Sequence, residues 1–240
     1  MNGKISVNSA IIFPFYNEEN RIDVFLLENF INSIGIDVIF INDGSTDRSK
    51  ELIAEVLTRI KVKSTLINLE KNVGKTNAIR IAILESIENG YAFILTQDLD
   101  IPYSSSDAIN ALNLIDSDSA DIYSGARVRL AGSGIRRSPL RQWAGRVIAT
   151  VIFIFYSKEF YDPQSPCKVY KVSSIQSELH RRFKSRWFGD VELLYRLKKA
   201  KHDLICKEFV LNDWQDKPDG KLGIRSVFSV IWDLIKIRFT

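Results

Sequence analysis

Two aspartates spaced two residues apart follow an apolar stretch near the middle of the chain. The stretch at 91–95 predicts a buried strand, and Asp98 and Asp100 come just beyond its end. Because alternate residues of an extended chain point to one side, the two carboxylates can be directed at one point. Two hard oxygen ligands at one point suit Mg²⁺ or Mn²⁺ with a phosphate-bearing substrate. A polar strand end or a turn is the ordinary alternative, since acidic pairs are common in loops.

Polar clusters also follow three other predicted strands in the first half of the chain. They are Tyr16-Asn17-Glu18 after the first strand, Asn42-Asp43-Gly44-Ser45 after the second and Lys71-Asn72 after the third. One such cluster means little, because turns use these residue types anyway. In sheets of parallel strands, however, ligands bind beyond the carboxyl ends of the strands. Four clusters at one edge favour a site for a metal ion and a phosphate.

Strand and helix patterns alternate through the part of the chain that carries these clusters. Strands are predicted at 10–13, 38–41, 65–68 and 91–95, and helices over 18–31, through 52–60 and over 74–88. The first helix is expected to turn Ile22, Phe25, Leu26 and Phe30 to one face. Four β-α units in about 90 residues predict an α/β domain with a mostly parallel sheet and helices on both faces.

The second half of the chain is less regular. A short strand is predicted at 122–125, helices at 143–156 and 191–201, and a final strand at 204–210. Two prolines within 162–167 exclude a regular helix there.

Composition and charge exclude several classes of protein. With 240 residues, 45% of them hydrophobic, the chain is long and apolar enough for one large domain. Cys167 and Cys206 form neither a disulfide framework nor a zinc spacing, so reduced thiols in a cytosolic setting are expected. The N-terminus lacks the apolar core of a secretory signal, and no apolar stretch reaches the ~20 residues of a spanning helix.

The net charge of +4 is unevenly distributed, because the segment 127–146 is rich in arginine and has no acidic residue. The segment lacks the motifs of nucleic-acid-binding proteins, so nucleic acid is not the expected partner. Phosphates on a small substrate or on lipid headgroups suit this segment better.

Taken in order, these clusters resemble a family 2 glycosyltransferase of the GT-A type. The most similar branch contains dolichol-phosphate mannose synthase, dolichyl-phosphate glucosyltransferase and bacterial polyprenyl-phosphate transferases. The matching segments are 13–19, 41–47, 72–75, 98–100, 124–127, 162–164 and 190–192. The resemblance covers roughly residues 9 to 216. It implies a GT-A fold with a Rossmann-like central sheet for a catalytic domain at 1–216, followed by an amphipathic C-terminal helix at 217–240.

The resemblance also implies a site for a nucleotide-sugar donor, a UDP- or GDP-hexose. The donor-binding positions that it implies are Pro14, Tyr16, Asn17, Glu18, Asn42, Asp43, Lys75 and Asp98. The family usually has two acids where this chain has Asn42 and Asp43, which leaves the nucleotide preference open. By the same resemblance, Asp98, Asp100 and Gln164 would hold Mg²⁺ or Mn²⁺. Such an ion neutralises the charge that develops on the departing nucleotide diphosphate.

On the acceptor side, Arg127 and Arg141 match arginines that grip phosphate in this branch. Bidentate guanidinium contacts suit that task, and a solvated surface charge is the alternative for each. Asp190 matches an acid that serves many members as general base for a sugar hydroxyl. An ionised lipid phosphate needs no such base, and Asp190 would then position the acceptor or cap a helix. Asp100, Arg127, Arg141 and Asp190 are therefore the expected catalytic residues.

The function that follows is an inverting, metal-dependent transfer of a hexose from the nucleotide sugar to a polyprenyl phosphate. One rival is a GT-A enzyme that glycosylates a saccharide hydroxyl in surface polysaccharide or glycolipid synthesis. A second rival is a nucleotide-sugar-binding or scaffold subunit without turnover, against which the intact pair of Asp98 and Asp100 argues.

The end of the sequence predicts an amphipathic helix. From Leu222 onward, an apolar helical face contains Ile224, Val227, Phe228, Ile231, Leu234 and Ile235, with Trp232 near its boundary. Such a helix either lies in a membrane surface or packs on the core, and both alternatives stay open. The segment 147–156 is a second candidate. The expected location is cytoplasmic and peripheral, on the inner face of a membrane, unless a partner protein supplies an anchor.

Overall fold

The computed structural model describes residues 8–201, 203–216 and 232–238. Its main sheet has seven strands in the order β3-β2-β1-β4-β7-β5-β8. These strands are β1 (Ser9–Phe15), β2 (Asp37–Asn42), β3 (Ser64–Asn68), β4 (Phe93–Thr96), β5 (Ile122–Ala126), β7 (Lys168–Lys171) and β8 (Cys206–Val210). Strand β7 runs antiparallel to both of its neighbours, and the other pairs are parallel. A separate ribbon pairs β6 (Gly134–Arg136) with β9 (Asp213–Gln215).

Helices cover both faces of the sheet. They are α1 (Val24–Ile34), α2 (Ser49–Arg59), α3 (Lys75–Glu88), α4 (Ser105–Ser117), α5 (Pro139–Phe155), α6 (Val172–Ile175) and α7 (Gly189–Lys199), with a short helix α8 at 232–237. Helices α1, α2 and α4 pack on one face, and α3 and α7 pack on the other. The predicted α/β architecture with a mostly parallel sheet is confirmed.

The central strands β1, β2 and β4 are buried on both faces, which explains their continuous apolar sequences. Along β1, Ile11 and Phe13 enter the core under α1 and α2, while Ile12 enters the core under α3. The ring of Phe13 stacks on Phe40 of β2 at 5.3 Å and meets the edge of Phe30 of α1 at 6.3 Å. Both faces of the central strands are thus fixed by packing, and their carboxyl ends are held at one edge of the sheet.

The first helix starts later than its periodicity predicts. It was expected over 18–31 but spans Val24–Ile34, because the Asp23 carboxylate caps it by accepting a hydrogen bond from the Leu26 backbone N–H at 2.9 Å. The later start changes which residues face the sheet. Phe25 and Leu26, expected on the buried face, are exposed by 68% and 38%.

Most of the predicted C-terminal amphipathic helix lies outside the described residues. In the described part, 232–238, Leu234 and Ile237 are buried in a cluster with Ile152 of α5. Trp232 is exposed. This last turn of helix therefore packs partly on the core. Within the described ranges, none of the helices has the length and apolar character that crossing a bilayer requires.

Candidate functional site

A cavity of about 220 Å³ lies beyond the carboxyl ends of β1 and β4. Six of the residues singled out from the sequence line it: Pro14, Lys75, Asp98, Arg127, Gln164 and Asp190. They come from both halves of the chain, so the fold gathers residues that are far apart in sequence. The other candidates lie outside this lining: Tyr16, Asn17, Glu18, Asn42, Asp43, Asp100 and Arg141.

Two asparagines join the loops that follow β1 and β2. The Oδ1 atom of Asn17 accepts a hydrogen bond from the Thr46 N–H at 2.9 Å, and the Asn17 N–H donates to Ser45 Oγ at 3.1 Å. Asn42 Oδ1 accepts from the Ser45 N–H at 2.8 Å, and its Nδ2 donates to Asn68 Oδ1 at 3.1 Å. Asn17 and Asn42 therefore hold the loops at this edge of the sheet together.

Asp43 fixes the loop that leads into α3. Its carboxylate is 2% exposed and accepts hydrogen bonds from the backbone N–H groups of Val73 at 2.7 Å and Gly74 at 3.0 Å. Burial raises the pKa of Asp43, although these backbone hydrogen bonds oppose the shift. The two loops approach closely, because a Cβ at Gly44 would come within 2.8 Å of the Lys71 backbone. Asp43 therefore has a structural task here in addition to any contact with a ligand.

The two aspartates that follow β4, Asp98 and Asp100, each contact a cation from another segment. Asp98 accepts a hydrogen bond from the Lys75 ammonium, and Asp100 accepts one from the Arg21 guanidinium. Arg21 also pairs with Glu18 at 2.8 Å. Burial raises the pKa of the Asp98 carboxyl, but the Lys75 ammonium, together with Arg21 and Arg127, holds that pKa below its ordinary value. Both carboxylates are therefore charge-compensated by the protein.

Some of the oxygen ligands expected for a metal ion lie at the cavity. Asp98 and Gln164 line one cavity and offer carboxylate and amide oxygens, which Mg²⁺ and Mn²⁺ accept. Asp100 is two residues from Asp98 in the sequence but does not line the cavity. Among the described residues, no three His, Cys, Asp or Glu side chains form a metal-binding group. An ion on Asp98 would have to compete with the Lys75 ammonium.

Arg127 is held at the cavity by a carboxylate that the sequence analysis had not paired with it. Its Nε and Nη2 donate to the two oxygens of Asp162 at 2.7 and 2.8 Å, and its guanidinium lies 4.8 Å from the centre of the Trp214 ring. Burial would raise the pKa of Asp162, but Arg127 lowers it to about 2. Arg127 is thus a fixed, half-buried cation and not a solvated surface charge.

Arg141 is linked to this arrangement through Asp216, which accepts a hydrogen bond from the Trp214 indole N–H at 2.8 Å. Arg141 is at the start of α5, its Nη1 is 3.9 Å from Asp216, and it does not line the cavity. The structure therefore does not bring Arg141 and Arg127 together in one cavity, and a phosphate-binding role for Arg141 stays a prediction.

Lys168 is a residue of the cavity that sequence reasoning missed. It lies in β7 and is 2% exposed, and its Nζ donates to Asp190 Oδ2 at 2.7 Å and to the Pro163 carbonyl at 2.8 Å. A lysine between the apolar residues Cys167 and Val169 was the available signal. The other Asp190 oxygen, Oδ1, accepts from the backbone N–H of the next residue at 2.9 Å. Both oxygens of Asp190 therefore already accept hydrogen bonds.

Similar proteins are known from sequence and from structure. The chain is 26% identical to an uncharacterized protein of Methanocaldococcus jannaschii over 240 residues, which cover 95% of this chain and 98% of that protein. It is 24% identical to the dolichyl-phosphate beta-glucosyltransferase of Saccharomyces cerevisiae over 249 residues, covering 95% and 73% of the two chains.

A solved structure has the same fold. Glucosyl-3-phosphoglycerate synthase from Mycobacterium tuberculosis, in complex with Mn²⁺, UDP and glucosyl-3-phosphoglycerate, superposes with a TM-score of 0.63. The sequence identity is 14%, and the superposition covers 98% of this chain and 81% of that one.

The family model for glycosyl transferase family 2 matches residues 10–179. The match includes strands β1 to β7, apart from the first residue of β1, and with them the cavity residues from Pro14 to Lys168. This confirms the resemblance seen in the sequence. The chain belongs to glycosyl transferase family 2 and is a glycosyltransferase.

Proposed function

We propose that this glycosyltransferase moves a hexose from a UDP- or GDP-sugar to a polyprenyl phosphate, with inversion and with a divalent metal ion. The observation that carries the proposal is the cavity in which Asp98, Lys75 and Arg127 meet. A carboxylate beside two cations suits a substrate pair that brings both a diphosphate and a further phosphate. The name of the yeast relative, a dolichyl-phosphate glucosyltransferase, supports the lipid phosphate acceptor.

On the donor side, Asp98 and Gln164 would hold the ion, with Asp100 close by. When bound, Mg²⁺ or Mn²⁺ neutralises the charge that develops on the nucleotide diphosphate as it leaves. Lys75 presents its ammonium to the same diphosphate oxygens. The nucleoside would lie at the carboxyl ends of β1 and β2, against Tyr16, Asn17, Glu18, Asn42 and Asp43. The manganese and UDP named in the mycobacterial complex support this arrangement.

On the acceptor side, the proposal turns on Arg127 and Asp190. Arg127 is oriented by Asp162 and can donate to a phosphate. An ionised phosphate oxygen attacks the anomeric carbon without losing a proton, and the bond from that carbon to the diphosphate oxygen breaks in the same step. A general base is then unnecessary, which fits an Asp190 whose two oxygens are occupied by Lys168 and a backbone N–H. Asp190 positions the acceptor in this proposal.

The test is an acceptor panel. Purified protein receives UDP-glucose or GDP-mannose, Mn²⁺, and one of three acceptors: undecaprenyl phosphate, undecaprenol or an oligosaccharide. Of the three acceptors, we expect only undecaprenyl phosphate to give a glycosylated product. The rate of Asp190→Asn is expected to fall by less than about tenfold, whereas the loss of a true general base would lower the rate by about 10²–10⁴-fold. Transfer to the oligosaccharide with a strict need for Asp190 would favour the saccharide-hydroxyl alternative. Donor binding without any turnover would favour the binding subunit.

The exposed face of α5 supports placement at a membrane surface. Trp143, Val147 and Ile154 are spaced to share one side of the helix, and they are exposed by 73%, 60% and 60%. Arg141 and Arg146 belong to the same helix. Apolar residues with an aromatic ring and flanking basic groups are typical of helices that lie in the interface of an anionic bilayer. We propose that α5 rests on the cytoplasmic leaflet and brings the cavity to the lipid phosphate.

Replacing the apolar face of α5 by charge should release the protein from membranes. The double variant Val147→Glu/Ile154→Glu is expected to bind vesicles of phosphatidylglycerol and phosphatidylethanolamine at least about tenfold more weakly, because each side chain loses about 1.5–3 kcal/mol of apolar burial. Cosedimentation with the vesicles measures this. Phe25→Glu, at an exposed apolar residue of α1, is the control. Equal losses in both variants, or none in the double variant, would contradict the placement.

A further inference from the structure

Gln97 is a buried amide whose polar atoms have no hydrogen-bond partner within the described ranges. The side chain is 1% exposed, and both Oε1 and Nε2 lack a partner. The residue lines the cavity immediately before Asp98. Folded proteins pair nearly all such buried groups, because an unpaired one is costly. Because both atoms are buried, the side chain must turn towards the cavity to pair with a group that enters it.

The hydrogen-bonding capacity of the Gln97 amide indicates which chemical group could pair with it. Nε2 donates and Oε1 accepts, so full pairing needs a partner that can do both. Phosphate oxygens only accept, and a phosphate would leave Oε1 unpaired. A hydroxyl group both donates and accepts, and a sugar offers several hydroxyls on adjacent carbons. A nucleobase edge offers both functions as well, but Asn42 and Asp43, proposed for the nucleoside, lie outside the cavity lining.

The neighbours of Gln97 agree with a sugar. Asp98, proposed to hold the ion on the diphosphate, is the next residue in the chain. Arg127 and Trp214 line the same cavity, and the Arg127 guanidinium lies 4.8 Å from the centre of the Trp214 ring. The cavity thus extends from the proposed diphosphate site at Asp98 to the Trp214 ring and the Arg127 guanidinium. The group attached to the diphosphate of a nucleotide sugar is the hexose.

We propose that Gln97 binds hydroxyl groups of the donor hexose and that it determines which sugar the enzyme accepts. This inference rests on the proposed function, since it takes the donor to be a nucleotide sugar. Gln97 is a binding residue in this scheme, and no proton or bond is transferred at its amide. Its loss should affect the sugar and spare the nucleotide.

Calorimetric titration with Mn²⁺ tests this by comparing UDP-glucose with UDP and GDP-mannose with GDP. We expect Gln97→Leu to weaken binding of the preferred nucleotide sugar at least about tenfold, as expected for lost hydrogen bonds to a substrate hydroxyl. Binding of the corresponding free nucleoside diphosphate should change less than about twofold. Without ligand, Gln97→Leu should melt at a higher temperature than the wild type, because the unpaired amide is gone. Gln176→Leu, the same exchange at an exposed glutamine outside the cavity, is the control and should change neither quantity.

The outcomes separate the two proposals. An unchanged ratio of nucleotide-sugar to nucleotide affinity, or a lower melting temperature of unliganded Gln97→Leu, overturns the assignment of Gln97. The second result would mean that the amide is paired in the free protein and has a structural role. If the wild type binds a nucleotide sugar and Gln97→Leu loses it, but no hexose reaches polyprenyl phosphate, the proposed transfer fails while Gln97 stands. If the wild type binds neither nucleotide sugar, both proposals fail.

Discussion

Asp98→Asn is expected to lower the release of nucleoside diphosphate from the donor by more than about 100-fold, because residues that only support a metal ligand already cost about 10–100-fold. The variant keeps the size of the side chain and removes its negative charge. A neutral amide is a poor substitute for a carboxylate on a divalent ion, and the departing diphosphate would lose its counter-charge. The rate of diphosphate release in the presence of Mn²⁺ is the measurement.

A matched exchange distinguishes this effect from a general loss of charge. Asp203→Asn removes an exposed carboxylate just before β8, at the edge of the sheet opposite to the cavity. It is expected to retain the wild-type rate. Activity of Asp98→Asn near that of Asp203→Asn, at the same Mn²⁺ concentration, would show that the ion and the diphosphate do not depend on Asp98.

Arg127→Met is expected to lower the free energy of unfolding by about 3–5 kcal/mol, in addition to its effect on transfer. The change leaves Asp162, which is 8% exposed, without the bidentate partner that compensates its charge. Urea denaturation at neutral pH measures the loss. The double variant Arg127→Met/Asp162→Asn is expected to recover part of the stability, because the uncompensated charge is gone. A double variant less stable than Arg127→Met would contradict this account.

The same pair predicts how stability depends on pH. Since the pKa of Asp162 falls from an ordinary 3.8 to about 2 in the folded protein, its stabilising contribution is fully present above pH 3.8. It is lost as the pH falls towards 2, where the carboxylate takes up a proton in the folded state as well. In Arg127→Met this loss should shrink, because the cause of the low pKa has been removed. Urea denaturation of both proteins between pH 5 and 2 measures the difference.

The sheet and one side of the site were predictable from local sequence. Strands β1, β2 and β4 are continuous apolar stretches because both of their faces are covered, and such stretches are visible without any knowledge of the fold. Asp98 follows one of them directly, so its place at the carboxyl edge needs only the parallel arrangement. The boundaries of α1 were harder to predict from the sequence, because the helix begins after the cap at Asp23 although the apolar periodicity begins before it.

The rest of the site depends on contacts between distant residues. Asp162 lies 35 residues after Arg127, and Lys168 lies 22 residues before Asp190, so no local pattern shows either pair. Sequence resemblance indicated Arg127, Gln164 and Asp190 as functional, but not what each one contacts. The ribbon of β6 and β9 was missed because each strand has three residues, too few for a period to emerge.

The position of β7 has a consequence for synthesis on the ribosome. This strand is inserted between β4 and β5, although it follows both of them in the chain. Until residues 168–171 leave the exit tunnel, the nascent chain carries two strands whose facing edges have unpaired backbone groups. Such edges pair readily with other chains, so we expect the emerging protein to be most prone to aggregation in this interval.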